Sequence, residues 1–186
     1  TDGLCVCCAC VLLSLSYAAR ATRCVVLGSG GGFVPAALRQ AQRDAGIGAE
    51  SETVLVDGDA NPPGAPQPNY HAGGAARSGG FRAAWPEVEL VRALTDDAVE
   101  LLRARWGAAD AIDVLVIDAD HTHAQSLRDA ELWLPLLRAR GGVAVLHDTG
   151  GCAMGCAKTP GVLRARGYDV VNLPSFGDGI ALVRAP

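Results

Sequence analysis

The stretch VLVIDADHTHA, residues 114–124, places four apolar residues directly before two aspartates and two histidines. A continuous run of Val, Leu and Ile is typical of a strand that is covered on both faces of a sheet. Polar side chains are tolerated in such a strand only where it ends and leaves the core. We therefore predict a buried strand over residues 112–118, with Asp118, Asp120 and His121 at its carboxyl end.

The same pattern recurs in GVAVLHD, residues 142–148, where an apolar run ends in His147 and Asp148. If the two strands are neighbours, several carboxylates and an imidazole share one small volume. Such groups repel one another unless a cation or a proton lies between them. Carboxylate oxygens with one nitrogen suit Mg²⁺, Mn²⁺ or Ca²⁺ better than structural zinc. The alternative is that these residues only form caps and turns; we assign no role to His123.

Strand and helix patterns alternate along most of the chain. This alternation predicts an α/β protein with a parallel sheet and helices on both faces. Two closing apolar runs are separated only by SFGD, which predicts a C-terminal antiparallel hairpin. In such a sheet, ligands bind outside the carboxyl ends of the strands. The predicted strands cover residues 23–28, 52–59, 88–94, 112–118, 142–148, 168–174 and 179–185, and the predicted helices cover 33–46, 96–107 and 124–142 up to Pro135.

Length and charge restrict the class of protein. The chain has 186 residues, which is long enough to bury a core and favours one domain over residues 1–186. The formal net charge is −4, and the sequence contains no basic stripe or run of cations. These features disfavour nucleic acid as a partner. The oligomeric state stays open, a homo-oligomer included.

Seven cysteines occur at irregular spacing, four of them within residues 5–10. An odd number without regular spacing is not typical of a secreted disulfide framework, and we interpret the thiols as small apolar residues. A cysteine-based metal or redox module at the N-terminus is the alternative. The apolar stretch within residues 1–22 resembles the core of a signal peptide, but it lacks a basic start and is short for a membrane span. We predict a helix packed on the sheet, and a cytoplasmic protein without a membrane partner.

A glycine-rich loop, LGSGGGF at residues 27–33, follows the first strand. Glycines allow a tight turn and a close approach of the backbone to a ligand, and the N-terminus of the next helix favours electron-rich groups. The spacing is Gly28-x-Gly30-x-Gly32, whereas the dinucleotide fingerprint G-x-G-x-x-G needs a glycine where the chain has phenylalanine. This spacing disfavours an NAD-linked oxidoreductase, and a tight turn without a ligand is the alternative.

Two acids follow the second strand, and a long segment without clear periodicity comes next. Asp57 directly follows the apolar run, where an acid can accept hydrogen bonds from the hydroxyls of a ribose; Asp59 is the second candidate. The alternative is an aspartate that only forms a turn. Residues 59–86 are rich in Gly and Pro, and we predict an insertion or a lid there.

These motifs together resemble a known enzyme family. Segments 25–33, 54–59, 114–149 and 161–186 look like a class I S-adenosylmethionine-dependent methyltransferase. More narrowly, they look like the small O-methyltransferase group with an IDxDH…HDT motif. The resemblance covers residues 23–186 apart from 59–86. It implies a Rossmann-like fold, S-adenosylmethionine as the cofactor and a small hydroxylated acceptor as the partner molecule.

The resemblance also implies a cofactor-binding role for particular positions. Gly28, Gly30 and Gly32 would border the methionine end of the cofactor. Asp57 would bind the ribose hydroxyls, and Asp96 would lie near the adenine.

A metal site is implied in the same way. In metal-dependent relatives, the positions of Asp118, His147 and Asp148 hold a divalent cation such as Mg²⁺. Asp118 would then take part in catalysis, and His121 would be the general base or a partner of a metal ligand. Relatives usually carry acids where this chain has Val26 and His147. A catalytically degenerate cofactor-binding protein of the same fold is the alternative.

Overall fold

A seven-stranded sheet forms the centre of the protein. The computed structural model describes residues 6–28, 30–58, 79–107, 109–151 and 155–184. The strand order is β3-β2-β1-β4-β5-β7-β6, and β7 runs antiparallel to both of its neighbours while the other neighbouring strands are parallel. In chain order, the strands are β1 Arg23–Leu27, β2 Glu52–Val56, β3 Val88–Val91, β4 Val114–Ile117, β5 Val143–His147, β6 Asp169–Leu173 and β7 Ile180–Arg184.

Helices cover both faces of this sheet. The described helices are α1 Val6–Ala19, α2 Phe33–Asp44, α3 Gly79–Ala84, α4 Thr95–Trp106, α5 His123–Trp133 and α6 Thr159–Ala165. Side chains from α1, α2 and α3 pack on one face, and side chains from α4, α5 and α6 pack on the other. The predicted parallel sheet with helices on both faces and a C-terminal antiparallel hairpin is therefore confirmed.

Strand β4 lies in the middle of the sheet, and all four of its residues are buried. Leu115 and Ile117 face the α4 and α5 side, whereas Val114 and Val116 face the α1 and α2 side. Because successive side chains point to opposite faces, a strand that is covered twice must be apolar at every position. This requirement explains why residues 114–117 form a continuous apolar run.

A buried aspartate holds the amino ends of the central strands together. One carboxylate oxygen of Asp113 accepts hydrogen bonds from the backbone N–H groups of Thr22 and Arg23, both at 2.8 Å, and from the Thr22 hydroxyl at 2.9 Å. The other oxygen lies 3.0 Å from Nη1 of Arg138. These bonds tie the start of β1 to the residue before β4, so this end of the sheet has a structural role.

The apolar N-terminal stretch forms α1, which packs on α2 and on the sheet. Cys8 and Leu12 are buried there, whereas Cys10 is exposed. The described cysteines are free thiols, and burial raises the pKa of the Cys24 thiol to about 12. That value agrees with the interpretation of cysteine as a small apolar residue. Among the described residues, no helix combines the length and the apolar character needed to cross a membrane.

Two short helices were not predicted from the sequence. Helix α3 begins with two glycines, which disfavour a helix, but Phe81 and Trp85 pack against the sheet and hold it in place. Helix α6 places Leu163 in the core on the opposite face. Most of the predicted insertion, residues 59–78, lies outside the described residues and includes Asp59. Tertiary packing decided both helices, because each is too short to be stable alone.

Candidate active site

The glycine-rich loop connects the carboxyl end of β1 to α2. Gly28, Gly30 and Gly32 all have positive φ, at 96°, 42° and 84°. A β-carbon on Gly28 would lie 2.1 Å from the carbonyl oxygen of Asp118, so only glycine fits between the ends of β1 and β4. The loop therefore passes directly over the end of the strand that carries Asp118, and it leads into the N-terminus of a helix.

Asp57 lies at the end of the neighbouring strand β2 and is half-buried. Its backbone N–H donates to the carbonyl oxygen of Val91 at 3.0 Å, and the Gly28 N–H donates to the carbonyl oxygen of Val56 at 2.9 Å. These bonds extend the sheet past its last strand residues. The glycine-rich loop and Asp57 consequently occupy adjacent positions on the same edge.

Asp96 is tied to α5. It lies in the first turn of α4, and its carboxylate accepts hydrogen bonds from Arg128 Nε at 2.5 Å and from Gln125 Nε2 at 3.3 Å. Both donors belong to α5, so the described contacts of Asp96 join two helices. A role near an adenine stays a prediction for this residue.

The ends of β4 and β5 bring three ionisable side chains together. Strand β4 pairs with β5, which confirms that the two strands are neighbours. His147 Nδ1 lies 3.2 Å from Oδ1 of Asp118 and 3.2 Å from Oδ1 of Asp148. Each of the three side chains offers one ligand atom, and these atoms all lie within 4.8 Å of one another. Their side chains are only 10–15% exposed, so the cluster is shielded from bulk water.

The electrostatics of this cluster suit a cation. Burial lowers the pKa of His147, but its contacts with Asp118 and Asp148 outweigh that effect and raise the pKa well above its ordinary value. Burial likewise raises the pKa of Asp148, and the two neighbouring histidines outweigh it and lower the pKa. In this arrangement a protonated imidazole compensates two buried carboxylates. Both ring nitrogens of His147 are buried without an aligned hydrogen bond, so the residues fit a bound divalent cation in place of that proton.

The backbone at Asp148 adopts a left-handed conformation, with φ of 55°. Residues other than glycine pay for this conformation with local strain, and aspartate tolerates it better than most. The thiol of Cys156 donates to the carbonyl oxygen of Asp148 at 3.1 Å and helps to hold the turn. Cys156 is 4% exposed and had no predicted role in the site, because only folding brings its loop to β5.

His121 is attached to the same cluster. Its Nδ1 lies 2.8 Å from Oδ2 of Asp148, and its carbonyl oxygen accepts a hydrogen bond from the Cys156 N–H at 3.1 Å. Its bonds with Asp148 and with the Cys156 side chain raise the pKa of His121 to about 10. His121 faces Oδ2 of Asp148, whereas His147 faces Oδ1, so the two imidazoles hold the carboxylate from its two oxygens. His123 instead pairs with Thr159, where Nδ1 and the hydroxyl oxygen are 3.1 Å apart.

Comparison with known proteins gives the following likenesses. Residues 25–149 match a family model described as methyltransferase domain. No curated protein matches the sequence. A methyltransferase from Podospora anserina bound to SAH is 16% identical, with a TM-score of 0.65, over 96% of this chain and 77% of that chain. An O-methyltransferase from Bacillus cereus in complex with SAH is 16% identical, with a TM-score of 0.65, over 95% of this chain and 80% of that chain.

A third structural relative was solved with SAM instead of SAH. The O-methyltransferase TomG from Streptomyces achromogenes, which is involved in tomaymycin synthesis and was crystallised with SAM, is 17% identical. Its TM-score is 0.65, and the likeness covers 95% of this chain and 78% of that chain. At these identities the likenesses concern the fold.

Proposed function

Because the chain belongs to the methyltransferase-domain family, we propose that it transfers a methyl group from S-adenosylmethionine to a hydroxyl oxygen of a small acceptor, assisted by a divalent cation. One observation carries this proposal. The glycine-rich loop touches the strand end that bears the ionisable cluster, since a β-carbon on Gly28 would meet the carbonyl oxygen of Asp118. The part of the site suited to a nucleoside-type ligand thus adjoins the part suited to a cation.

We assign the cofactor to the ends of β1 and β2. Gly28, Gly30 and Gly32 would let the backbone approach the methionine part of S-adenosylmethionine, and Asp57 would accept hydrogen bonds from the ribose hydroxyls. The positive φ values of the three glycines support this assignment, because side chains would strain the turn. Asp96 is a weaker candidate for the adenine, since its carboxylate is engaged by α5.

The cation would be held by Asp118, His147 and Asp148. A bound divalent cation lowers the pKa of a hydroxyl that it contacts and fixes the direction of the oxygen. Methyl transfer from a sulfonium is an in-line displacement, so acceptor oxygen, methyl carbon and sulfur must be aligned and the acceptor largely deprotonated. An acceptor with two neighbouring hydroxyls suits such a centre best. The SAH or SAM bound to the solved relatives supports the cofactor, and the names of two of them, as O-methyltransferases, support oxygen as the acceptor atom.

His121 has two candidate roles in this scheme. A general base must be deprotonated before it can take a proton, whereas the hydrogen bonds of His121 with Asp148 and with Cys156 raise the pKa of its imidazole. We therefore favour His121 as the residue that orients Asp148, to which it donates from Nδ1 at 2.8 Å. His121 could act as the general base only in a state in which its ring has lost a proton and no longer donates to Asp148.

Binding and turnover should be measured separately to test the proposal. Calorimetry with S-adenosylmethionine should show binding, and mass spectrometry should show a mass increase of one CH₂ unit on catechol-type diols in the presence of Mg²⁺ or Mn²⁺, because a methyl group replaces the hydroxyl hydrogen. Monohydroxyl analogues of the same diols are the matched control and should react more slowly. Absence of S-adenosylmethionine binding, with or without the cation, would overturn the enzyme proposal.

A catalytically degenerate cofactor-binding protein is the second candidate. Val26 occupies the position where relatives usually carry an acid, and it is 1% exposed within the α1 and α2 face of the core. Its apolar surroundings supply no carboxylate at that point. Cofactor binding without turnover across diols, sugars and phenols would favour this candidate over the enzyme.

A further inference from the structure

The segment after β3 forms a wall beside the candidate ribose ligand, Asp57. A β-carbon on Gly58, the next residue, would lie 2.8 Å from Cδ2 of Leu94 and 3.4 Å from the carbonyl oxygen of Ala93. The Asp57 N–H donates to the carbonyl oxygen of Val91, so the end of β2 and the segment after β3 lie close together. The Leu94 side chain is 52% exposed, and it therefore presents an apolar surface at the edge that carries Asp57.

Leu94 is an unusual residue for its position in the chain. It is the N-cap of α4, and its side chain makes no capping hydrogen bond. Serine, threonine, aspartate and asparagine are preferred at an N-cap because their side chains accept a hydrogen bond from the first turn, which leucine cannot do. Proteins break such local rules mainly at functional sites. A leucine here is consistent with a function that needs an apolar side chain beside Asp57.

Helix α5 holds the start of α4 in place of a cap. The Thr95 hydroxyl donates to Oδ1 of Asp129 at 2.6 Å. Gln125 Nε2 lies 2.9 Å from the same oxygen, 3.2 Å from Oγ1 of Thr95 and 3.3 Å from Oδ1 of Asp96. Because Thr95 directly follows Leu94, these hydrogen bonds fix the backbone that carries the leucine.

The carboxylate that accepts from Thr95 is costly to bury. Asp129 is 0% exposed, and its other oxygen, Oδ2, has no hydrogen-bond partner among the described residues. A buried carboxylate with an unsatisfied oxygen lowers stability, so the fold alone does not account for it. A charged acceptor does, however, make the stronger hydrogen bond to the Thr95 hydroxyl.

We propose that Thr95 and Asp129 are positioning residues, which hold Leu94 beside Asp57 as an apolar wall for the nucleoside part of S-adenosylmethionine. The inference rests on the proposed cofactor site at the ends of β1 and β2. Neither positioning residue takes part in a covalent step, so their role acts on cofactor affinity. Loss of the hydrogen bond between Thr95 and Asp129 would loosen the start of α4, and the position of Leu94 would become less well defined.

The first test compares S-adenosylmethionine affinity, measured by calorimetry, with melting temperature in variants of the full chain. Thr95→Val keeps the size of the side chain and removes its hydroxyl, whereas Thr95→Ser keeps the hydroxyl and removes a methyl group. We expect Thr95→Val to lose about 3- to 10-fold in affinity and Thr95→Ser to stay within about twofold of the unchanged chain. Asp113→Ala is the destabilised control, because Asp113 binds the amino ends of the strands. It should melt at a lower temperature and keep its cofactor affinity.

A second test separates the wall from stability. Leu94→Ser introduces a preferred N-cap, so this variant should not melt at a lower temperature than the unchanged chain. Its affinity for S-adenosylmethionine should nevertheless fall by about 5- to 30-fold, because the apolar contact with the nucleoside is lost. A loss of affinity without a loss of melting temperature cannot arise from general destabilisation.

Three results would overturn this inference while the unchanged chain still binds S-adenosylmethionine. If Thr95→Val or Leu94→Ser binds the cofactor as tightly as the unchanged chain, the segment after β3 has only a structural role. If Thr95→Ser loses as much affinity as Thr95→Val, the hydroxyl does not position the wall. If Asp113→Ala loses as much, the effect is general destabilisation. An unchanged chain that binds no S-adenosylmethionine would instead overturn the proposed function, and this inference with it.

Discussion

The α-carbon of Gly28 faces the backbone of Asp118 so closely that a β-carbon on Gly28 would lie 2.1 Å from the carbonyl oxygen of that residue. Gly28 also has a φ of 96°, which side chains disfavour. Two separate costs therefore oppose any substitution here, and one of them acts directly on the strand end that carries the ionisable cluster.

Gly28→Ala should lower the free energy of unfolding by about 2–4 kcal/mol and weaken S-adenosylmethionine binding. The matched control is Gly107→Ala, which has a φ of 95° but no atom within 4 Å of the added carbon. That control should cost about 1–2 kcal/mol of backbone strain alone. Chemical denaturation measures both variants, and equal losses would contradict the close approach of β1 to β4.

A divalent cation should stabilise the protein through Asp118, His147 and Asp148. Mn²⁺ at a hundredfold excess over its Kd should add about 2.7 kcal/mol to the free energy of unfolding, and EDTA should reverse the gain. Asp148→Asn should abolish the gain, because a neutral amide is a poorer ligand than a carboxylate. Asp120→Asn is the control, since Asp120 is exposed and lies outside the cluster. A gain that survives in Asp148→Asn would place the cation elsewhere.

Asp57→Asn should weaken S-adenosylmethionine binding by about 10- to 100-fold, because hydrogen bonds to a charged acceptor are the stronger ones. Metal affinity should stay unchanged, since Asp57 lies at the end of β2 rather than β4 or β5. Isothermal titration calorimetry measures both quantities. Asp44→Asn, at the exposed end of α2, should leave both as they are. An undiminished cofactor affinity in Asp57→Asn would exclude the ribose role.

Asp113→Ala should destabilise the protein by about 3 kcal/mol without changing cofactor affinity per folded molecule. The carboxylate accepts three hydrogen bonds and pairs with Arg138 at the amino ends of the strands, away from the site. Asp169→Ala is the control, because its ion pair with Arg184 is exposed and should contribute less than about 1 kcal/mol. Denaturant unfolding should separate the two variants, and similar losses would contradict the structural role of Asp113.

Asp129 should make the stability of the protein depend on pH. Burial raises the pKa of this carboxyl to about 6, although Thr95 and Gln125 donate to one of its oxygens. Between about pH 4 and pH 6 the folded state then binds more protons than the unfolded state, so stability falls as the pH rises. The total loss is up to about 3 kcal/mol, and it is complete above the folded-state pKa.

Asp129→Asn should flatten this profile and raise stability at pH 7 by about 2 kcal/mol, because the buried charge is removed. The uncharged amide keeps an oxygen for Thr95 and Gln125. Glu131→Gln, an exposed position on the same helix, should retain the original pH profile. Unfolding measured in urea from pH 4 to pH 7 tests this prediction, and a flat profile in the unchanged chain would refute it.

Local pattern was sufficient for the central elements. A strand covered on both faces carries a continuous apolar run, so the runs of β1, β2, β4 and β5 were visible in the sequence, and so was the place where each ends. Polar residues after β4 and β5 then had to lie on one edge, because neighbouring parallel strands end on the same side. Helix α3 could not be predicted from the sequence, because it begins with two glycines, which disfavour a helix, and only the packing of Phe81 and Trp85 stabilises it.

The sequence by itself determined which residues end the central strands and hence that Asp118, His147 and Asp148 share one edge with the glycine-rich loop. Only the tertiary structure decided the contacts that tune those groups. It placed Cys156 against Asp148 and His121, and it placed His121 against Asp148. The physical reason is the sequence separation of the interacting residues. A strand pattern is set by residues two positions apart, whereas each of these contacts joins segments that meet only when the chain folds.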